Sequence, residues 1–322
     1  MGIMEIMKIV ILDGYTLNPG DLSWEGLSEL GELTVYDRTP PELVIERIGD
    51  SELIFTNKTK LPAEILEKLP NLKFIGVLAT GYDVVDVKYA NEKGIVVCNI
   101  PTYGTNGVAE MTFALILSLY RNVGVNSSAV KDGEWVNNPD FCFWKTNLSE
   151  LYGKTMGFIG FGKIGQTAAK IANAFDMKVI AYDKYCNNIP DYAKVVTDIN
   201  EIFKNADIVS LHCPLTDETR EIVNKESLSL MKKTAVIINT ARGPLINEKD
   251  LAEALNNSVI SGAGVDVLSI EPVKEENPLL NAENCIITPH IAWAATESRQ
   301  RLLNIAIDNL KAFLDGQPIN RV

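Results

Sequence analysis

The chain has 322 residues, 46% of them hydrophobic, and a mean hydropathy near zero; that is more than one comfortable core and about right for two. A net charge of −12 sets most of the surface against nucleic acid and anionic lipid, so an anionic substrate binds only where positive charge is concentrated. Five cysteines (Cys98, Cys142, Cys186, Cys213, Cys285) and two histidines (His212, His290) are scattered without ligand spacing. That pattern argues against a disulfide framework and a metal centre, and fits a reducing, cytoplasmic setting.

The start, MGIMEIMKIV, lacks the basic, apolar and small-residue regions of a signal peptide, and a myristoylation signal would need Ser or Thr where Ile6 stands. No stretch reaches the roughly 18 consecutive apolar residues of a membrane span. Strand-like runs then alternate with helix-like ones: KIVILD (8–13), LTVY (33–36), LIFT (53–56), FIGVL (74–78) and GIVVCN (94–99), with helical segments such as PAEILEKL. The alternation predicts βαβ units and a parallel sheet. IPTYG (100–104) interrupts it, and GVAEMTFALILSLYRNV follows, apolar on most faces, which predicts a helix that is buried or covered by a partner chain.

A second series runs through TMGFIG (155–160), KVIAYD (178–183), DIVSLH (207–212), AVIINT (235–240), GAGVDV (262–267) and CIIT (285–288). These are six strands, the number in a dinucleotide-binding fold. Residues 296–314 read as a final helix. Two α/β lobes with a cleft are the simplest architecture.

GFIGFGKIGQTAAKIANAF puts Gly160, Gly162 and Gly165 between a strand and a helix, and Asp183 ends the next strand eighteen residues after Gly165. In that context the first glycine permits a tight turn, the second lets backbone approach a pyrophosphate, and the third allows close packing of helix on strand. Lys163 and Ile164 complete the loop. Asp183 would accept hydrogen bonds from ribose hydroxyls and repel a 2′-phosphate, which favours NAD over NADP, although Lys184 beside it tempers the preference.

Ligands of open α/β sheets bind beyond the carboxyl ends of strands. Three polar residues follow three such ends: Arg242 after AVIINTA, Glu271 five residues beyond Asp266, and His290 after CIITP. Taken singly, Arg242 is more simply an ion-pair residue, Glu271 a solvated loop acid and His290 a core histidine. As a set beside a nicotinamide site they make sense together: a guanidinium fork for a carboxylate, and a histidine whose far nitrogen is held by an acid.

GFIGFGKIG with Asp183, NTARGPLINEKDLAEAL, GVDVLSIEP, TPHIAWA and ATGYDVVD resemble the signature segments of the D-isomer-specific 2-hydroxyacid dehydrogenases, over nearly the whole chain. The resemblance implies that Arg242 binds a 2-oxo acid, that Glu271 pairs with His290, and that His290 exchanges the proton while NADH exchanges the hydride. It implies that Leu78, Ala79, Thr80 and Gly81 offer backbone amides to the substrate carboxylate. Cofactor contacts are implied for Asp266, Thr240, Ala241, Arg242 and the region of His290, and for the flank after DIVSLH (His212, Cys213, Pro214, Thr219), with His212 either there or structural.

The resemblance further implies an α/β fold of two Rossmann-like lobes with doubly wound parallel sheets. The NAD-binding lobe, residues 102–291, is inserted in a flavodoxin-like substrate-binding lobe made of 1–101 and 292–322, and a homodimer forms through the helix at 108–121. Within the family, GEWVNNPDFCFWKTNLSELYGKTMGFIG resembles the glycerate dehydrogenase, or hydroxypyruvate reductase, branch; Phe141, Phe143 and Trp144 there either cap a substrate pocket or pad a dimer interface. The alternatives are reduction of glyoxylate, pyruvate to D-lactate, or 2-ketogluconate, and an NADH-sensing binding protein of the corepressor type.

Overall fold

A computed structural model describes residues 7–322; the stretch read for targeting signals, up to Ile6, lies outside the described residues. The chain divides into two compact units, one formed by the chain up to Gly104 together with Ala294–Val322, the other by Thr105–Trp293.

The first unit holds a parallel sheet of β1 (Lys8–Ile11), β2 (Glu32–Val35), β3 (Leu53–Thr56), β4 (Phe74–Val77) and β5 (Val96–Cys98), in the order β2-β1-β3-β4-β5. That is the flavodoxin-like order. β3 and β4 are buried along their whole length, as expected of central parallel strands covered on both faces, and this is why they read as unbroken apolar runs. The end of the chain returns to this sheet. The helix Thr296–Leu314 lays Phe313 against Phe74, ring centroids 5.0 Å apart, and the last residue donates its amide to Val97 O at 3.0 Å. Arg299 on that helix is buried and donates to the Leu17 carbonyl and to both oxygens of Asp21.

The second unit holds β6 (Thr155–Ile159), β7 (Lys178–Tyr182), β8 (Ala193–Val195), β9 (Ile208–Leu211), β10 (Val236–Asn239), β11 (Gly262–Val265) and β12 (Cys285–Ile287). All pair in parallel, in the order β12-β11-β10-β9-β6-β7-β8. The sequence reading expects six strands and misses β8, whose three residues, AKV, sit at the sheet edge with Lys194 exposed. A short edge strand covered on one side leaves no apolar run to detect.

The long helix spans Thr105–Arg121 and buries Ala109, Thr112, Phe113, Leu115, Ile116 and Tyr120 in the core of its own unit. Its exposed stripe, Asn106, Glu110, Ala114 and Ser118, recurs every fourth residue and is small or polar. The helix lies close on the sheet because β11 is glycine-rich: a Cβ on Gly264 would stand 3.0 Å from Leu115 Cβ. Since every strand of the sheet runs the same way, the ends carrying Gly160, Asp183, His212, Arg242, Glu271 and His290 all lie along one edge.

Candidate active site

Gly160 follows β6 with φ +92°, a region L residues avoid, and a Cβ there would run into the backbone of His212 and Cys213. The glycine is therefore required twice, by conformation and by the approach of the β9 end. Gly165 is equally constrained, since its Cβ would meet Gly160 O at 2.5 Å. Gly162 opens the twelve-residue helix Lys163–Ala174 and has nothing within 4 Å of where a Cβ would be. The first amides of that helix, on Lys163 and Ile164, have no intrahelical acceptor, so the glycine turn presents free N–H groups beneath open space, the environment a pyrophosphate needs.

Asp183, at the end of β7, accepts from Phe161 N at 2.6 Å and Tyr185 N at 2.7 Å, which aims its carboxylate at the glycine turn. Lys184 is ion-paired with Glu218 at 2.5 Å.

On the flank after β9, His212 stacks on Phe158, centroids 5.8 Å apart, and its Nε2 meets Ser210 Oγ at 2.8 Å. Burial pushes its pKa down to about 4, so at neutral pH it is an uncharged ring with one nitrogen tied to Ser210. Cys213 is a thiol, its pKa raised to about 11 by burial. Thr219 folds back, donating its hydroxyl to Pro214 O at 2.7 Å and closing a tight turn. Thr240 is buried, with its hydroxyl 3.1 Å from that of Thr112 on the long helix, and Ala241 N donates to Asn239 Oδ1 at 3.0 Å. For Thr240 and Ala241 the hydroxyl and the amide are thus committed within the chain.

Arg242, Glu271 and His290 stand beyond β10, β11 and β12, three neighbouring strands whose ends span about 10 Å at ordinary strand spacing. His290 Nδ1 is 2.6 Å from Glu271 Oε2, and Glu271 Oε1 accepts from Leu268 N at 3.0 Å. Arg242 is exposed; its Nη1 donates to Ala241 O at 2.7 Å, and among the described residues it has no carboxylate partner. The planar fork of this guanidinium has the geometry to bind a carboxylate.

Asp266 departs from the expectation of a cofactor contact. Its side chain is 1% exposed and accepts from Thr288 Oγ1 at 2.5 Å, Ile291 N at 2.9 Å and Ala292 N at 2.8 Å. Its own carbonyl receives His290 N at 2.8 Å. It clamps the turn that carries His290, whose φ of +55° costs about 1 kcal/mol for an L residue.

Gly243, which the motif reading passed over, is as important. A Cβ on it would overlap the Leu268–Ser269 peptide, so the turn after Arg242 rests backbone-to-backbone on the loop leading to Glu271. The signal was there in the sequence, a glycine directly after the arginine in TARGP.

Of the substrate-loop residues in the first unit, Leu78 is 1% exposed and spends its amide on Thr56 O at 2.8 Å, which removes it as an anion donor. Among the described residues, the amides of Ala79, Thr80 and Gly81 have no acceptor; the Thr80 hydroxyl donates to Ile100 O at 2.8 Å. Phe141 and Trp144 are 90% and 63% exposed. No group of three or more potential ligands among the described residues could hold a metal.

The profile of the D-isomer specific 2-hydroxyacid dehydrogenase NAD binding domain matches residues 113–292. A hydroxypyruvate reductase of Blautia hydrogenotrophica is 54% identical over 98% of this chain and 99% of its own. The chain belongs to the D-isomer specific 2-hydroxyacid dehydrogenase family. Among solved structures, an NADPH-dependent glyoxylate/hydroxypyruvate reductase of Sinorhizobium meliloti superposes with a TM-score of 0.85 at 28% identity, covering 98% of this chain and 97% of that one. A D-lactate dehydrogenase of Aquifex aeolicus, complexed with NAD and lactic acid, superposes at 0.80 with 31% identity and 96% of each chain. This member of the family is accordingly an oxidoreductase of 2-oxo and D-2-hydroxy acids with a nicotinamide nucleotide as cofactor.

In this dehydrogenase the protonation of His212 can be read by NMR. His212 is neutral when folded and protonates normally when unfolded, so it lowers stability as pH falls from about 6.5 to about 4. With His290→Ala leaving one imidazole, the remaining ring signal should stay fixed from pH 8 to about pH 5 and move only towards pH 4. A midpoint near 6.5 would show the ring to be solvated.

Proposed function

We propose that the enzyme reduces hydroxypyruvate to D-glycerate with NADH, and runs the reverse reaction. The observation that carries the reading is the 2.6 Å contact of His290 Nδ1 with Glu271, two residues beyond β12 and β11, the strands that succeed β10 in the sheet, with Arg242 beyond β10 and without a carboxylate partner among the described residues. The hydroxypyruvate reductase at 54% identity over nearly the full chain supports the substrate.

The glycine turn fits the pyrophosphate of a dinucleotide, through the open space over Gly162 and the free first-turn amides. When bound, NADH supplies the hydride. Arg242 grips the carboxylate of the acid by its planar fork. Glu271 holds Nδ1 of His290, which leaves Nε2 to deliver a proton to the oxygen on C2 as its charge develops; in the reverse direction Nε2 accepts it. Asp183 receives ribose hydroxyls, and the pairing of Lys184 with Glu218 removes the cation that would welcome a 2′-phosphate, which supports NAD over NADP.

A second copy of the chain is the partner we infer. The exposed apolar side chains are concentrated just beyond the long helix, at Val123, Val136, Phe141, Trp144 and Tyr152, and such a patch calls for cover. A cytoplasmic location agrees with the five free cysteines.

Assayed against hydroxypyruvate, glyoxylate, pyruvate and 2-ketogluconate, NADH oxidation should be fastest with hydroxypyruvate, and His290→Ala should lower kcat by about 10²- to 10⁴-fold while NADH still binds. No turnover with any acid, or loss of NADH binding in the variant, would overturn the assignment. Arg242→Lys keeps the charge but loses the fork, so the KM for the acid should rise by about 10-fold or more; an unchanged KM would remove Arg242 from the substrate. In Asp183→Ala, the preference for NADH over NADPH should shrink by about 10-fold or more, the effect of roughly one lost charged hydrogen bond; a preference that stays put would clear Asp183 of the ribose role.

A further inference from the structure

Glu271 lies in a stretch, Ser269–Glu276, in which every residue is exposed. No apolar packing fixes that loop, so its position depends on polar ties. Gly243 gives it a seat, and one side chain ties down both its ends: Glu248, the first residue of the helix Glu248–Asn256, accepts Ser269 N at 2.6 Å on Oε1 and Asn277 Nδ2 at 2.9 Å on Oε2. Both anchors are firm. Asn247 caps the helix by accepting Asp250 N at 3.1 Å, and Asn277 Oδ1 accepts from Leu279 N at 3.0 Å, with Leu279 buried in the core.

We propose that Glu248 is a positioning residue of the proton transfer, holding the Ser269–Asn277 loop so that Glu271 stays in reach of His290 Nδ1. The proposal rests on the reading of His290 with Glu271 as the proton donor. The chemistry of the tie requires a carboxylate. Both partners donate, and a carboxylate offers an acceptor to each; an amide at 248 could accept from one only and would turn its own NH2 on the other. Ser269 is two residues from Glu271, and Leu268 N is already bound to Glu271 Oε1, so a slip of Ser269 is passed directly to the catalytic carboxylate.

The test compares the full-length enzyme with E248Q, E271Q and the double variant. E248Q should lower kcat about 10- to 100-fold, the cost of misplacing a reacting group by about 1 Å. Its KM for hydroxypyruvate and its Kd for NADH, read by fluorescence, should stay within about 2-fold of wild type, because the altered group touches neither ligand. Amides of the 269–277 loop should exchange hydrogen faster. The double variant should be no slower than E271Q alone, since both changes act through one group.

Wild-type kcat in E248Q, unchanged exchange in the loop, or a double variant slowed by the product of the two single effects would overturn the proposal. Should E248Q fail to fold, N277D removes the Nδ2 donor to Glu248 while keeping the oxygen that accepts from Leu279 N, and should give the same pattern; wild-type kcat in N277D would then overturn it. E271Q is scored separately: full activity there would overturn the proton-donor reading itself and the tether with it. An active-site effect in E271Q with none in E248Q would overturn the tether alone.

Discussion

An imidazole held 2.6 Å from a carboxylate is useful only if both stay where they are, and neither residue can see to that alone. His290 follows a three-residue edge strand, and Glu271 sits in an exposed loop. Each is fixed by a residue from elsewhere. The buried carboxylate of Asp266 receives the amides of Ile291 and Ala292 and the hydroxyl of Thr288, and so sets the left-handed turn at His290. A buried carboxylate without such donors would be costly; with them, its cost becomes the stiffness of the turn. The same strand end, β11, thus supplies the acid that positions the histidine and leads into the acid that pairs with it. This arrangement couples the two sides of the contact through one short piece of backbone.

Close backbone approach is the second constraint. At Gly160, Gly165 and Gly243 the space where a Cβ would stand is taken by a neighbouring peptide, and at Gly264 it comes to 3.0 Å from Leu115 Cβ on the long helix, closer than an ordinary van der Waals contact. The first two bring β6, its helix and the end of β9 together at the point where the strand order of the sheet reverses, which is where a crevice opens in doubly wound sheets. The third brings the turn of Arg242 against the loop of Glu271. Catalytic geometry is carried here by residues with no side chain as much as by those with reactive ones.

Much of this was legible in the sequence because parallel strands buried on both faces leave unmistakable apolar runs, and because polar residues directly after such runs must lie on one edge of the sheet. Ten of the strands lie within stretches read as strand-like, an eleventh, β2, is offset from its stretch by one residue, and the final helix has the ends read for it, Thr296–Leu314. What escaped depends on partners far apart in sequence. Leu78 looked like an available amide, yet Thr56 O takes it, a pairing set by strand register and invisible to a local motif. For Asp266 the family resemblance implies a cofactor contact, but its carboxylate is taken by three donors from residues 22 or more positions later. β8 had no apolar signal because only one of its faces is covered.

The two units show how alike two sheets can be and how differently they treat an anion. In the first unit the order β2-β1-β3-β4-β5 also reverses, beside β1 and β3, and there the backbone presents a row of amides from Asn57, Lys58 and Thr59. Those amides are already filled: Asp13, at the end of β1, accepts all three at 2.7, 2.6 and 2.8 Å. In the second unit the corresponding strand end is Gly160–Phe161–Gly162, which carries no acid, and the nearest carboxylate, Asp183, takes the amide of Phe161 from the side and leaves those of the helix start free. One acidic side chain after β1, and glycine after β6, is enough to turn the same topology into a self-satisfied structural knot in one unit and an open phosphate cradle in the other. It follows that the nucleotide selects its unit through local chemistry at the strand end rather than through the fold, since both sheets offer the reversal of strand order and only one leaves its amides unclaimed.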